Sequence, residues 1–537
     1  MTFIAPQETI SISPNWQLYY YGFVSDFLIK NVSDPETSEY YRNNLEDLKL
    51  MGSAIKIPME YITICDYQDR IDENSSFMIE FNNGFNEVFV SEEGTKHFLS
   101  EIIQEGSIIL FTESGNKKFA GYITSISDSS SSNGTWKMTV SGGGLEEGIR
   151  GMSLFIDTFG EPSAVDKDPS NVTSKSPTGN YQAAFDALGR IVKNTKTPQK
   201  LIQSIAKEAI RTFLSNGAFG GEPYNKLLAI EQGITYESYT QDLIHSISWL
   251  NEASPGNKIS FWELMESLAT APLYELFIHY DDSTDIQIAE GREILGKDIN
   301  LDDEENNSDE PKLPLGNLVF RKAPLEYIDK IQDIESLHSR IPENIIKNLK
   351  LKEDRNDIFS GVHVRPGVID NITGLLINPV SYNPDTLARV GQRVLSIVLD
   401  GVSFPPENSE AQNKSFAKNL DEIQSLIMTV FGKGDFKTKG TIYCDYFRGI
   451  TKGKFVDIMS SEDIENTGPN HHAFHRYFGG LTKSEESGTR APRFYVTGIS
   501  VTINPGQSIC SMDLEVKWGA RGFRRSLVNR ISKQSRE

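Results

Sequence analysis

Two short stretches that lie far apart in this 537-residue chain read alike. Tyr122–Ser127 reads Tyr-Ile-Thr-Ser-Ile-Ser, and Tyr495–Ser500 reads Tyr-Val-Thr-Gly-Ile-Ser. Each continues through a polar turn containing glycine into a second apolar segment, entered at Met138 or Met512. An internal repeat constrains a fold more than any local signal. β-Strands use few residue types, so a chance match is the competing interpretation, but the shared order and similar hairpin spacing favour a duplicated hairpin.

The surroundings of both stretches are typical of short antiparallel strands. Phe77–Phe81 alternates apolar and polar residues and ends at the turn Asn82-Asn83-Gly84, and comparable turn signals recur about every ten residues. The pattern predicts a small antiparallel β-barrel over 53–165 and a second over 431–519, with a long polar insertion at 460–492. The run Gly142-Gly143-Gly144 is interpreted as a hinge in a loop.

The middle of the chain mixes helical and strand patterns. Pro198 follows the potential N-cap Thr197, and apolar residues then recur at helical spacing. Ser260 and Glu263 have the spacing of a capping box. We therefore predict an α+β, multidomain chain, with two similar β-barrels and a mixed α/β middle region. The expected boundaries are an N-terminal extension (1–52), the first barrel (53–165), a linker (166–197), the middle domains (198–430) with an acidic loop (298–310), the second barrel (431–519) and a basic tail (520–537).

Charge and composition exclude several classes of function. The chain has 53 Lys and Arg against 74 Asp and Glu, a net charge of −21. Such an acidic chain is not expected to coat a phosphate backbone, so sequence-specific nucleic-acid binding is not predicted. The absence of a long apolar run predicts that it is not an integral membrane protein. Three scattered cysteines and an N-terminus without a signal-peptide pattern predict synthesis in a reducing cytoplasm.

Few residues suggest chemistry. His471, His472 and His475 have a spacing that suits zinc on a helix, but close glycines and the lack of a fourth ligand favour a solvated loop. Glu263 and Glu266 resemble a glycosidase pair, although Glu263 already serves the capping box. No signature of a nucleotide, metal or covalent active site occurs. We predict no catalytic residue, no metal and no cofactor.

The C-terminal stretch is basic in an otherwise acidic chain. From Lys517 to Glu537 it carries seven bases against one acid, which predicts electrostatic docking on an acidic partner protein. The alternative is that it faces nucleic acid in a channel. The candidate docking residues are Arg521, Arg524, Arg525, Arg530, Lys533 and Arg536.

The order of these elements, with three local segments, resembles a known family. The segments are the barrel strands from Ile62 to Gly142, the helix–strand unit Phe261–Tyr280, and Leu318–Leu325 with its Arg-Lys-Ala-Pro. The closing strand Phe494–Ser500 also fits. Together they are similar to the baseplate or tail hub proteins of contractile phage tails and related contractile injection systems, including the hub part of type VI secretion spike proteins.

The resemblance implies a non-enzymatic homotrimeric ring. Three chains with two barrels each present six similar barrels, and these can match a sixfold partner. It implies contacts with a central spike protein, the tail tube or tube initiator, baseplate wedge proteins and the tape-measure protein. The expected location is the tail baseplate of a virion or injection particle, assembled in the bacterial cytoplasm. Two alternatives are a cell-wall hydrolase carried on a tail and a carbohydrate-binding adhesin.

Overall fold

A computed structural model gives the fold of this protein. The structure describes residues 15–21, 55–71, 73–83, 87–90, 96–130, 136–151, 153–156, 198–215, 228–229, 234, 239, 244–245, 257–280, 315–325, 338–342, 345–353, 358–368, 379–403, 410–432, 438–459, 493–505 and 509–519.

Strands dominate the described residues. In chain order they are β1 (Trp16–Tyr21), β2 (Ile55–Ile57), β3 (Ile62–Arg70), β4 (Ser76–Phe81), β5 (Glu87–Val90), β6 (Lys96–Phe98), β7 (Ile108–Glu113), β8 (Asn116–Ser130), β9 (Trp136–Gly144), β10 (Ser153–Ile156), β11 (Leu228–Ala229), β12 (Ile244–His245), β13 (Asn257–Ser260), β14 (Tyr274–His279), β15 (Gly316–Lys322), β16 (His338–Pro342), β17 (Ile346–Glu353), β18 (Gly361–Val368), β19 (Ser381–Tyr382), β20 (Val394–Ser403), β21 (Thr438–Asp445), β22 (Phe455–Met459), β23 (Arg493–Asn504) and β24 (Ile509–Gly519).

The helices of the described residues are fewer. They are α1 (Leu99–Ile102), α2 (Glu146–Arg150), α3 (Pro198–Ser215), α4 (Phe261–Leu268), α5 (Pro384–Val390) and α6 (Glu410–Ile427), with a 3-10 turn at Met59–Tyr61 and a π-helical turn at Met428–Gly432. The start of α3 at Pro198 and the capping box of α4 are confirmed: the Glu263 amide donates to Ser260 Oγ over 3.0 Å, and the Ser260 amide donates to Glu263 Oε2 over 2.8 Å. No helix in the described part of the chain is long and apolar enough to cross a membrane.

One large sheet carries both β-rich regions. It has 13 strands, and its main path runs β17-β21-β24-β23-β3-β4-β9-β8-β7-β1-β2. A mainly antiparallel β fold with few helices is therefore confirmed. Instead of forming two separate sheets, the two regions are joined by pairing between β3 and β23. Among the described pairings this path ends at β17 and β2, so closure into barrels stays a prediction.

The predicted repeat is present in the backbone and exceeds one hairpin. We call β3-β4-β9-β8 module 1 and β17-β21-β24-β23 module 2. Superimposing the strand registers of the two modules aligns Ile126 on β8 with Ile499 on β23. Ile126 lies opposite Val140, and Ile499 lies opposite Leu514. The same superposition aligns Ile79 with Ile442 on the third strands. Cys65 and Leu349 align in turn on the fourth strands.

Irregularities in the sheet also coincide. Module 1 has a bulge at Thr124, between the pairs Ile123–Gly142 and Ser125–Ser141, and module 2 has one at Thr497. Each threonine hydroxyl donates over 3.4 Å to the carbonyl opposite, that of Ser141 or Glu515. A second bulge lies at Thr63 in module 1 and at Lys347 in module 2. Matching bulges make chance similarity untenable, because a bulge is a specific and costly feature of a strand pair.

The core lies on one side of this sheet. A cluster of aromatic rings packs there at centroid distances between 5.2 and 6.2 Å, and it comprises Trp16, Tyr67, Phe77, Phe111, Phe119 and Tyr280. β1, the described strand within the predicted N-terminal extension, joins this sheet by pairing along β7. The smaller sheets of the middle region are β10-β13, β11-β15-β14 and β12-β20-β18-β19, and β5 pairs with β6.

The interpretation of Gly142–Gly144 as a loop hinge is wrong. These glycines form the end of β9, where they pair with β4 and β8. A Cβ on Gly142 would lie 1.8 Å from the carbonyl oxygen of Tyr122 and 2.7 Å from a ring carbon of Phe77. Close packing, rather than turn geometry, therefore requires glycine here.

We expect Gly142→Ala to lower the free energy of unfolding by about 1–3 kcal/mol, because the added methyl group has no room against fixed backbone. Urea unfolding followed by tryptophan fluorescence measures this. Gly151→Ala is the matched control, since its Cβ would lie no closer than 3.5 Å to any neighbour. Equal unfolding midpoints for the two variants would contradict the packing argument.

Candidate assembly interface

The junction between the modules is the feature that makes them one body. Gly498 to Ile503 on β23 pair antiparallel with Arg70 to Cys65 on β3. On the core side, Val501 lies opposite Tyr67 and Ile503 opposite Cys65, and all four side chains are buried. The junction therefore combines backbone hydrogen bonding with apolar burial.

Ionic contacts reinforce this junction. Arg70 Nη2 lies 2.7 Å from Glu515 Oε1, and the Ile71 amide donates to the Thr497 carbonyl over 2.9 Å. Lys452 forms a buried ion pair with Asp69 and also donates to the Arg70 carbonyl over 3.0 Å. Burial raises the pKa of the Asp69 carboxyl to about 6, and the opposing attraction of Lys452 only partly offsets it.

A second buried cluster centres on Arg321. Its Nε and Nη2 lie 3.0 and 2.9 Å from Glu275 Oε2, and Nη2 also donates to the Gly453 carbonyl over 2.6 Å. Nη2 is 3.0 Å from the Tyr495 hydroxyl, which donates to Glu275 Oε1 over 2.5 Å. Burial alone would lower the pKa of Arg321, but Tyr495 and Glu275 outweigh it and the pKa is raised. This cluster ties β14 and β15 of the middle region to β23.

A third cluster surrounds the buried carboxylate of Glu113 at the end of β7. Arg448 Nε donates to Glu113 Oε1 over 2.8 Å, and Tyr446 donates to Glu113 Oε2 over 3.1 Å. Lys118 Nζ lies 3.8 Å away. The connection between β21 and β22 contains Tyr446, Arg448, Lys452 and Gly453. It is therefore held to β7, to β3 of module 1 and to β15 of the middle region. We call residues 446–453 the clasp.

The face of the sheet opposite the core is polar across both modules. Residues that share rows on this face pair across successive strands, such as Ser141 with Ser125 and Glu515 with Gly498. Small hydroxyl side chains and both signs of charge occur along it. Its members include Asn348, Lys350, Thr441, Tyr443, Asp513, Glu515, Ser500, Thr502, Asp66, Gln68, Arg70, Ser76, Met78, Glu80, Thr139, Ser141, Ser125, Ser127 and Ser129.

The predicted site residues are placed only in part. The histidines His471, His472 and His475 and the basic tail from Arg521 to Arg536 lie outside the described residues. The acidic loop, the linker 166–197 and the insertion 460–492 also lie outside them. Within the described ranges no cluster of His, Cys, Asp and Glu has a metal-binding arrangement.

The acidic residues considered for catalysis have structural contacts. Glu263 completes the capping box, and Glu266 Oε1 accepts from Arg150 Nη2 over 2.9 Å and from Trp262 Nε1 over 2.5 Å.

Burial raises the pKa of Cys444 and of Cys510 to about 12, so these thiols are poor nucleophiles near neutral pH.

Sequence reasoning missed the buried ionic clusters, although one of them had a signal. Glu275 and Arg321 each interrupt an apolar strand, and they lie directly opposite each other in the β14–β15 pair. Two opposite charges inside two neighbouring apolar strands predict a buried pair. The partners of Glu113 and Asp69 come from the distant clasp, for which no local pattern exists.

Comparisons with known proteins give structural likenesses only. No protein-family model matches the chain, and no curated protein matches it in sequence. The structure is similar to that of a tail protein from Neisseria meningitidis MC58, with 10% identity, a TM-score of 0.39, and coverage of 87% of this chain and 93% of that one. It is also similar to the 43 kDa tail protein of prophage MuSo2 from Shewanella oneidensis, with 12% identity, a TM-score of 0.38 and coverage of 87% and 94%.

A third similar structure is E. coli c3393, described as a type VI secretion component with structural similarity to the T4 bacteriophage tail proteins gp27 and gp5. It has 6% identity, a TM-score of 0.34, and coverage of 85% of this chain and 73% of that one. These three similar structures are thus two proteins named as tail proteins, one of them from a prophage, and one type VI secretion component. These low identities and TM-scores give no residue-by-residue correspondence.

We expect Arg321→Met to lower the free energy of unfolding by about 3–5 kcal/mol, because it leaves the buried Glu275 carboxylate without its cation. Adding Glu275→Met to that variant should restore part of the loss, since no unpaired charge then remains. Urea unfolding measures both.

Lys347→Met is the control for Arg321→Met. Lys347 pairs with Asp445, but the two side chains are 45% and 52% exposed, so the change should stay below about 1 kcal/mol. Similar losses for Arg321→Met and Lys347→Met would show that the Arg321 cluster contributes no more than a surface pair.

Proposed function

We propose that this chain is a structural hub of a phage tail or contractile injection system. Three copies form a ring that joins a threefold central spike to a sixfold tail tube around a channel. The observation that supports this most directly is the duplicated module, with the same register and two matching bulges in both copies. Three chains with two modules each present six similar surfaces, which suits a partner of sixfold symmetry.

The connection between the modules also supports the hub proposal. Within one chain they follow each other head to tail in one sheet. The clasp fixes their relation through the buried Lys452–Asp69 ion pair, the contact of Arg448 with Glu113 and the hydrogen bond that the Gly453 carbonyl accepts. A symmetry adaptor needs this property, because two modules that moved independently would not hold a defined spacing for a partner. We propose further that each module belongs to its own small barrel, within the domain boundaries inferred from the sequence.

The polar face fits a channel wall. Hydroxyl groups and mixed charges keep such a surface hydrated, and a largely polar surface, as its described residues give it, limits adhesion of a passing chain. The tape-measure protein and then the genome or an effector would pass along it. In this proposal the protein has no catalytic step and acts in the tail particle, after assembly in the bacterial cytoplasm with spike, tube and wedge proteins.

The 537-residue chain, alone or with its spike, should form a ring of about 180 kDa, three times the 60.1 kDa chain, to which a bound spike adds its own mass. Sedimentation equilibrium or mass photometry measures this directly. A stable monomer under both conditions would overturn the ring proposal, and clearing of cell-wall substrate by the purified chain would favour the hydrolase alternative.

The basic tail is proposed to dock on an acidic neighbouring protein in the particle. Deleting Arg521 to Glu537 should reduce co-purification with co-expressed spike or tube protein, most strongly at low salt, because high salt already screens the attraction of the intact tail. A variant with Gln at the six basic positions from Arg521 to Arg536 separates charge from length. Unchanged co-purification of both variants at low and high salt would contradict the docking role.

A further inference from the structure

The outer side of β23 contacts two different strands along its length. Its first part pairs with β22, as Tyr495 does with Phe455. Beyond the bulge at Thr497, its second part pairs with β3, from Gly498 to Ile503. The bulge is therefore the point where β23 exchanges a neighbour from its own module for one from the other module.

β8 repeats the first half of this arrangement. Its first part pairs with β7, as Tyr122 does with Ile108, in the register of Tyr495 with Phe455. Beyond the matching bulge at Thr124, no strand among the described residues pairs with the outer side of Ser125–Ser130. This is the stretch that aligns with Gly498–Ile503.

β17 supplies the complementary edge. It aligns with β3, since Leu349 and Cys65 hold the same place in the two registers. In the described sheet β17 is the end of the path and pairs with β21 alone. Among the described residues, one chain thus presents the unpaired second part of β8, the equivalent of β23, and the unpaired edge of β17, the equivalent of β3.

We propose that β8 of one copy pairs antiparallel with β17 of a second copy, in the register of the internal β23–β3 junction. Thr502 lies opposite Asp66 inside the chain, so Ser129 lies opposite Lys350 between chains. Asp128 then lies opposite Leu351, and Ser130 opposite Leu349. The proposal rests on the ring of the proposed function and specifies how its chains join. Such a head-to-tail contact closes a ring when the rotation allows it.

The side chains at these edges differ from those of the internal junction in a consistent way. Val501 and Ile503 are buried, whereas their counterparts Asp128 and Ser130 are exposed. Leu349 and Leu351 are half-buried, so part of their apolar surface is available for a second chain to cover.

The more polar character suits strands that stand in water before the ring assembles. The Arg70–Glu515 ion pair of the internal junction has no counterpart at the proposed joint, because Ser141 takes the place of Glu515. The joint between chains is therefore expected to be weaker than the joint within a chain. The same polar residues would also protect two edges that never pair, and the experiment separates these outcomes.

The test is a disulfide across the proposed joint in the full-length chain. Directly opposite residues in an antiparallel pair have Cα atoms about 4.5–5.5 Å apart, which is within the range that a disulfide spans. Ser129→Cys combined with Lys350→Cys should give dimers and closed trimers on a non-reducing gel after mild oxidation. Both positions are exposed, so the fold should tolerate the changes, and each single variant reports the background from the native cysteines.

The matched control is Ser125→Cys with Lys350→Cys, which keeps both cysteines on the same face but four residues out of register. We expect at least severalfold more cross-linking in the Ser129–Lys350 variant than in this control. Equal cross-linking in the two variants would overturn the register. A chain with trimeric mass but no Ser129–Lys350 disulfide would overturn the inference and leave the proposed hub intact, whereas a monomeric mass would overturn both.

Discussion

Backbone pairing between β3 and β23 is the constraint on which the rest of the structure depends. It turns two copies of one strand order into a single sheet, and it sets the spacing and direction of the second copy relative to the first. A paired strand cannot slip by one residue without turning its buried side chains to the other face. With Val501 against Tyr67 on the core side, the relation between the modules is fixed to one register.

The clasp adds rigidity that strand pairing alone does not give. Its ion pairs, Lys452 with Asp69 and Arg448 with Glu113, join groups from distant parts of the sequence, and both carboxylates are buried. Burial makes unpaired charge costly, so these contacts break only together with the packing around them. The result is a body in which the middle region, through Arg321, is connected to the same strand that carries the module junction.

Local sequence patterns predicted individual hairpins and helix starts better than they predicted which distant strands pair. The hairpin around Tyr122 and its copy around Tyr495 were predictable because turn signals and matching strings lie within one short segment. The capping box at Ser260 was predictable for the same reason. The β3–β23 junction was not, because nothing in Cys65–Arg70 indicates a partner more than four hundred positions away. Gly142 was misread because glycine marks both turns and close packing, and only the positions of the Tyr122 carbonyl and the Phe77 ring distinguish them.

The conserved backbone and divergent side chains of the two modules have a consequence for molecular recognition. Thr124 and Thr497 make the same hydrogen bond at the same bulge, while Ser141 stands where the other copy has Glu515. A binding partner built from identical subunits would meet the same backbone at every module but different side chains at alternate modules. Such a partner gains most from main-chain groups and shape, which repeat at every position, and least from charged side chains, which suit only every second one.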